Sequence, residues 1–452
     1  MQAESIEQTA ARAEAARRAE RVGRSVLLST TRPVPAWDPI AWLRNEPDVR
    51  ALWLRPAHGE AIALRGALRS FEAPGNDLEP VAAAWRELLA DAVIDERTFS
   101  PAPSVSLPHG PMLMGGLAFD PLREATALWT GFPPARFVLP EHSLVQRGGS
   151  AWLTTNELIG PPAHARDASR AWEAPAPELR SLSADAWRRL VGSTAAAIRR
   201  SENGLRKVVL ARAQRITSEQ PFELETALRK LATAYPTCTV FAFGSPERTF
   251  LGATPERLVT LHNGVASSMA LAASMRRGES EAEDAALGQR LLSDPKERTE
   301  HAIVVDSLRE SFEGVCTGVV ADAEPRIERL PNVQHLLTRV RGQVRPGGSL
   351  LELVQALHPT PAMGGSPRPA ALEYIRRNEG LDRGWYTGAI GWLDHRGDGD
   401  FSVAIRSALV RGREAILFAG CGIAADSDPA AEYVEAELKL RPMLGALGQL
   451  PA

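Results

Sequence analysis

An α+β fold with large, mostly antiparallel sheets is what the sequence predicts, and three observations predict it. Short apolar runs such as the β-branched Lys207-Val-Val-Leu-Ala-Arg212 dominate, with Gly and Pro between them. Helical periodicity arrives in blocks and does not alternate with single strands, as in layers that are segregated. Asn263-Gly264 between apolar runs marks a hairpin, because Asn-Gly accepts the positive φ of a tight antiparallel turn.

Residues 1–25 read as a charged helix or frayed leader, rich in Ala, Glu and Arg and lacking the apolar core of a signal peptide. Between residues 25 and 160, runs such as Ala61–Leu64 and Leu113–Phe119 read as strands. From Gly160 to Pro177 the composition becomes linker-like, and no internal repeat is found. Ser183 is a plausible N-cap for a helix striped with Trp187, Leu190, Val191 and Ile198, ended by Gly204.

The next run places Lys207, Val209 and Ala211 on one strand face. Cys238–Gly244 and Phe250–Gly252 read as strands around a Ser-Pro-Glu-Arg turn. A helical segment from Ser280 to Glu313 is interrupted near Asp294-Pro295. Strands are expected at Trp385–Leu393, Phe401–Val410 and Ala415–Gly420. Asp428 as N-cap and Pro429 at the first helical position open a last helix through Leu447.

The 452 residues carry 52 Lys+Arg against 55 Asp+Glu, a net charge of −3 that argues against a nucleic-acid binder. No apolar stretch approaches a membrane span, and the expected compartment is the cytoplasm. Cys238, Cys316 and Cys421 lie too far apart in sequence for a CxxC site and read as buried hydrophobes.

Four clusters could carry chemistry. Glu432, Glu435 and Lys439 share one helical face, as either a solvated salt-bridged surface or part of a cation site. Glu297 and Glu300 repeat the spacing of three, and carboxylates from two helices would suit a hard cation such as Mg²⁺. Lys207 is either an edge lysine with its head in water or a partly buried general base. Glu256, after a proline-fixed turn, is either an exposed turn residue or a general acid in a dry site. Arg396-Gly-Asp-Gly-Asp400 is turn chemistry, since it lacks the remaining positions of a calcium loop.

In order along residues 183–447, these segments resemble the chorismate-utilising enzymes, and among them the isochorismate synthases. The matches begin with Lys207–Arg212, Phe250–Glu256, Ala270–Ser274 with Arg277-Gly278, and Lys296–His301. They continue with Leu330–Leu336, His358–Ala362, Gly384–Gly388, Ala404–Ser407 and Gly420–Ile423, and end in Ser427-Asp428-Pro429 with Glu432, Glu435 and Lys439.

The resemblance implies one α+β domain over residues 26–452, built of two packed antiparallel sheets with helices outside. It implies that Lys207 activates water for addition at C2 of chorismate and that Glu256 protonates the departing C4 hydroxyl. Glu300 and Glu435 would hold Mg²⁺ against the ring carboxylate, with Glu297 and Glu432 near the metal. Arg406, Lys439 and the N–H of Gly420 would bind carboxylates, and His335 would lie near the ring. Ala273, Ser274, Ala362 and Tyr386 complete the implied substrate contacts. Water is a poor nucleophile and hydroxide a poor leaving group, so such a reaction asks for an opposed base and acid, with Lys207 neutral and Glu256 protonated.

Relatives that use ammonia typically carry Gln at the position of Lys207, so no glutaminase subunit is expected. Aminodeoxychorismate synthases carry a nucleophilic lysine where Ala272 stands, and both of these groups carry Gly-Thr at Pro361-Ala362. Salicylate synthases keep the lysine but usually carry Thr at Ala362 and Leu at Ile405. The retained base, acid and carboxylates argue against a non-catalytic anion-binding relative. One departure is Ala273, where the resemblance leads to expect Gly and where any positive φ would be strained. The motifs do not separate menaquinone from siderophore synthesis, the extended N-terminal half leans toward menaquinone, and the oligomeric state is not legible.

Overall fold

A computed structural model describes residues 2–44, 49–75, 77–96, 108–123, 126–161, 183–329 and 333–449, without the side chains of 2–8, 296 and 300. Apart from Gly160 and Pro161, the expected linker lies outside the described residues. The described strands form one sheet of 12 and another of 10, and strands from before residue 160 and after residue 183 enter both. Every pairing among the described strands is antiparallel except that of Val26–Val34 with Val93–Asp95.

Side-chain alternation along each strand decides the layers. In Lys207–Thr217, Val208 and Leu210 face an outer core, packed with Trp187 and Val191 of helix Ala184–Arg199 and Leu440 and Met443 of helix Pro429–Ala446. Ala211 and Ala213 face the opposite way, into the layer between the sheets with Phe250, Trp385, Tyr386 and Phe418. The second sheet packs Val259 and Val403 against Phe312 of helix Pro295–Val315 and Leu353 of helix Leu350–Leu357. Lys207 therefore starts its strand on the inter-sheet face.

Capping follows the sequence. Ser183 Oγ accepts from Ala186 N, and Asp428 Oδ1 accepts from Ala430 N and Ala431 N. Asn263 and Gly264 take φ of 49° and 78° at their hairpin. Three expectations are refined. The helix Gln2–Val22 is no frayed leader, because Ala11, Ala15 and Ala19 form a buried stripe against Val26 and Leu28. The run Trp385–Leu393 becomes a strand only at Ala389, after a turn with Thr387 at φ 59°. The run Phe401–Val410 splits into Gly399–Val403 and Ser407–Arg411 around Arg406 at φ 51°.

Candidate active site

Lys207 pairs with Ser366 at the sheet margin and is half-buried. Gly422, on the neighbouring strand Glu414–Ile423, makes room for it: a Cβ there would lie 2.8 Å from Lys207 Cε. The base implied by the sequence is thus laid along a glycine and held close to the sheet.

Glu256 follows the strand Arg248–Thr254. Its N–H donates to Thr254 Oγ1 at 3.2 Å and its carbonyl accepts from Val403 N at 2.9 Å, so both sheets fix its backbone. Its side chain keeps some accessible surface, yet crowding by protein pushes the carboxyl up to about 7, opposed by the charges of Arg406, Lys439 and Lys207 in that order. Desolvation outweighs three cations. Near neutral pH the group is divided between its acid and carboxylate forms.

Arg406 sits at the break between two strands, and its carbonyl accepts from Ala253 N at 3.1 Å. Gly252 allows that approach, since a Cβ there would be 2.8 Å from Arg406 O. Arg406 forms no salt bridge among the described residues, and burial opposes its charge. Lys439 Nζ is 2.5 Å from Glu435 Oε1 and donates to Gly420 O at 2.9 Å. The N–H of Ala211, opposite Gly420 in register, turns outward to Glu379 Oε2 at 2.7 Å. That pair is consequently the non-hydrogen-bonded kind, and Gly420 directs its N–H away from the Lys207 strand. Tyr386 is buried, stacks on Phe418 at 5.1 Å and has its hydroxyl beside Gly420, while burial pushes its phenol up.

Ala273 is the bulge residue between Val265–Arg276 and Val333–Val344, at φ 59°. The bulge brings Ser274 opposite His335, with Ser274 Oγ 2.9 Å and Ala273 O 3.3 Å from His335 Nδ1. A carbonyl only accepts, so Nδ1 carries the proton and Nε2 is left as an acceptor. Burial holds this imidazole down at about 4, and it is neutral at pH 7. Ala273, Thr387 and Arg406 are three of the six non-glycine residues with positive φ among the described residues, and backbone strain of this kind recurs at functional sites.

Glu432, Glu435 and Cys421 bring potential ligand atoms within 4.8 Å of one another. Ser427 Oγ donates to Glu432 Oε1 at 2.8 Å, and burial raises the Glu432 carboxyl. Burial also holds the Cys421 thiol up at about 12, so it stays protonated and the charged donors here are oxygens. Such a set fits a hard cation. Glu297 stands on the helix Pro295–Val315 with Asp294 Oδ1 accepting from its N–H. The Glu300 side chain lies outside the described residues, as do residues 330–332 of one matched segment. Ala362 lines a crevice together with Glu256.

Comparison with known proteins gives this geometry a family. The model of the family described as "chorismate binding enzyme" matches residues 11–448. The chain belongs to the chorismate-binding enzymes. An isochorismate synthase of Bacillus subtilis is 34% identical over 455 residues, 95% of each chain. A salicylate-biosynthesis isochorismate synthase of Pseudomonas aeruginosa is 37% identical over 81% of this chain and 78% of its own. The menaquinone-specific isochorismate synthase of Escherichia coli shares the fold with a TM-score of 0.76 at 24% identity, covering 94% of this chain and 95% of that one.

This chorismate-binding enzyme also depends on a pair that motif reading missed. Glu379 and Arg383 are buried and joined by two bonds, 2.7 Å from Nε to Oε1 and 2.6 Å from Nη2 to Oε2. Arg383 further donates to Val209 O at 2.6 Å and Met363 O at 3.2 Å, and Glu379 accepts from Ala211 N. The pair ties the Lys207 strand to the segment that carries Ala362. In sequence, Glu and Arg four apart look like an exposed helical pair, and only burial distinguishes them.

Proposed function

We propose that this chorismate-binding enzyme is an isochorismate synthase, an isomerase that moves the hydroxyl of chorismate from C4 to C2 by water addition and loss. The observation that carries the reading is the convergence of Lys207, Arg406 and Lys439 on the raised carboxyl of Glu256. A base, an acid and two further cations are what addition of water to a dianion with departure of hydroxide requires.

Lys207 removes a proton from the attacking water while Glu256 protonates the leaving oxygen. Arg406 supplies a planar fork for one carboxylate, and Lys439 with the N–H of Gly420 serves the other. Neutral His335, through Nε2, accepts from a ring hydroxyl, oriented by Ser274 and Ala273. Tyr386 and Ala362 bound the ring. Glu435 and Glu300 would hold Mg²⁺, with Glu432 and Glu297 beside it. When bound, Mg²⁺ neutralises the ring carboxylate and draws electron density toward it.

The reaction supplies menaquinone synthesis in the cytoplasm on this reading, without a glutaminase subunit. The test is chorismate incubated with the purified protein in Mg²⁺ or in EDTA, with products separated by chromatography. Isochorismate in equilibrium with chorismate, absent under EDTA, is expected. Salicylate with pyruvate would instead make the enzyme a salicylate synthase, and unchanged chorismate would make it a binding protein.

A further inference from the structure

Beside Glu256 and Ala362 lies a crevice whose further lining the roles above leave unused. Its lining includes Glu256, Ser268, Ser307, Thr360, Ala362 and Arg368, and includes none of Lys207, Arg406, Lys439 or Gly420. Glu256 thus lines a hydroxyl-bearing crevice that the cations acting on its carboxyl do not line. The crevice runs along the helix Pro295–Val315, where Ser307 is half-buried. Ser268 Oγ is engaged by Leu258 O. Thr360 Oγ1, in contrast, is buried with no hydrogen-bond partner among the described residues. A buried hydroxyl without a protein partner, on a residue that lines a crevice, is suited to hold a water.

We infer that this crevice is the exit for the oxygen leaving C4 and the entry for the proton that restores Glu256, with Thr360 positioning the water at its inner end. The inference rests on Glu256 being the acid. In each forward turnover the C2–O bond forms as Lys207 takes a proton from the entering water. Both ring double bonds shift by one position, and the C4–O bond breaks with its electron pair on oxygen. Glu256 protonates that oxygen, which departs as water. Lys207 ends with one proton too many and Glu256 with one too few, so Glu256 must be reprotonated from solvent. A separate route keeps the departing water away from Lys207, where it would re-enter as nucleophile.

Thr360→Val keeps the shape and removes the hydroxyl. It is expected to lower kcat about tenfold with KM changed less than about twofold, and to enlarge the solvent deuterium effect on kcat. Thr360→Ser is expected to restore most of the rate, which a packing role for the methyl would not allow. Wild-type turnover in Thr360→Val, or a loss that Ser does not restore, overturns the inference. Glu256→Gln serves as the control. Full turnover there would sink the acid assignment and this inference with it, whereas an inactive Glu256→Gln beside a normal Thr360→Val sinks the crevice alone.

Discussion

Lys439 Nζ lies 2.5 Å from Glu435 Oε1, one helical turn away, while also donating to Gly420 O at 2.9 Å. The ammonium joins the proposed metal ligand to the strand whose Gly420 N–H is proposed to bind substrate. A cation held by Glu435 would compete with this bond and would free Lys439 for a carboxylate. Glu435→Ala is therefore expected to weaken Mg²⁺ by roughly 10–100-fold or more and to raise KM for chorismate in parallel. Calorimetric titration of Mg²⁺ with and without chorismate checks this, and an unchanged Mg²⁺ affinity would remove Glu435 from the metal site.

Lys207→Ala and Glu256→Gln should each lower kcat by about 10²–10⁴-fold, with chorismate affinity retained. Equilibrium binding separates the roles. Equal loss of binding in both variants would make the residues structural.

Glu256 also sets a pH dependence. Its carboxyl is raised to about 7 by desolvation, so the acid form is populated below that pH and lost above it. The expected kcat/KM for chorismate falls as pH rises through about 7. The group is protonated in the folded protein at pH values where an unfolded carboxyl, with an ordinary value of 4.5, is already ionised. Its contribution to stability accordingly declines between 4.5 and about 7, and Glu256→Gln should raise Tm at pH 8 with the gain vanishing near pH 4. A Tm difference that is the same at both pH values would contradict the burial argument.

At Ala273 backbone strain is opposed by two other effects. Its φ of 59° costs about 1–2 kcal/mol for a residue with a Cβ. The methyl is buried with Leu291 and Leu336, worth about 0.8 kcal/mol, and glycine adds about 0.4–1 kcal/mol of unfolded-state entropy. Ala273→Gly should thus change stability by less than about 1 kcal/mol. Ala273→Val should destabilise by about 2 kcal/mol or more and disturb the Ser274–His335 bond, because a β-branched residue tolerates positive φ poorly. Denaturant unfolding of both variants decides.

Arg383→Met leaves Glu379 buried without its partner and should cost about 3–5 kcal/mol. Urea unfolding measures it, and a loss under about 1 kcal/mol would mean that Glu379 has found another cation or a proton.

Much of this protein was legible from residues alone. The caps at Ser183 and Asp428, the Asn263-Gly264 turn and the ordered segments around Lys207, Glu256, Arg406 and Lys439 are local signals, because caps and turns are decided by neighbours a few residues apart. Those segments also carried the family. Which of two readings held for each charged residue was not local. Lys207 is half-buried rather than free at an edge because Gly422, more than 200 positions later, leaves room for it. Glu256 is raised because both sheets crowd it. Glu379 and Arg383 escaped notice since their spacing is that of a surface pair, and the break at Arg406 hid in an apolar run. Sequence determined the chemical groups and their order. Tertiary structure decided their exposure, and exposure sets whether a carboxyl is an acid, an ion pair is buried or a glycine is a gap.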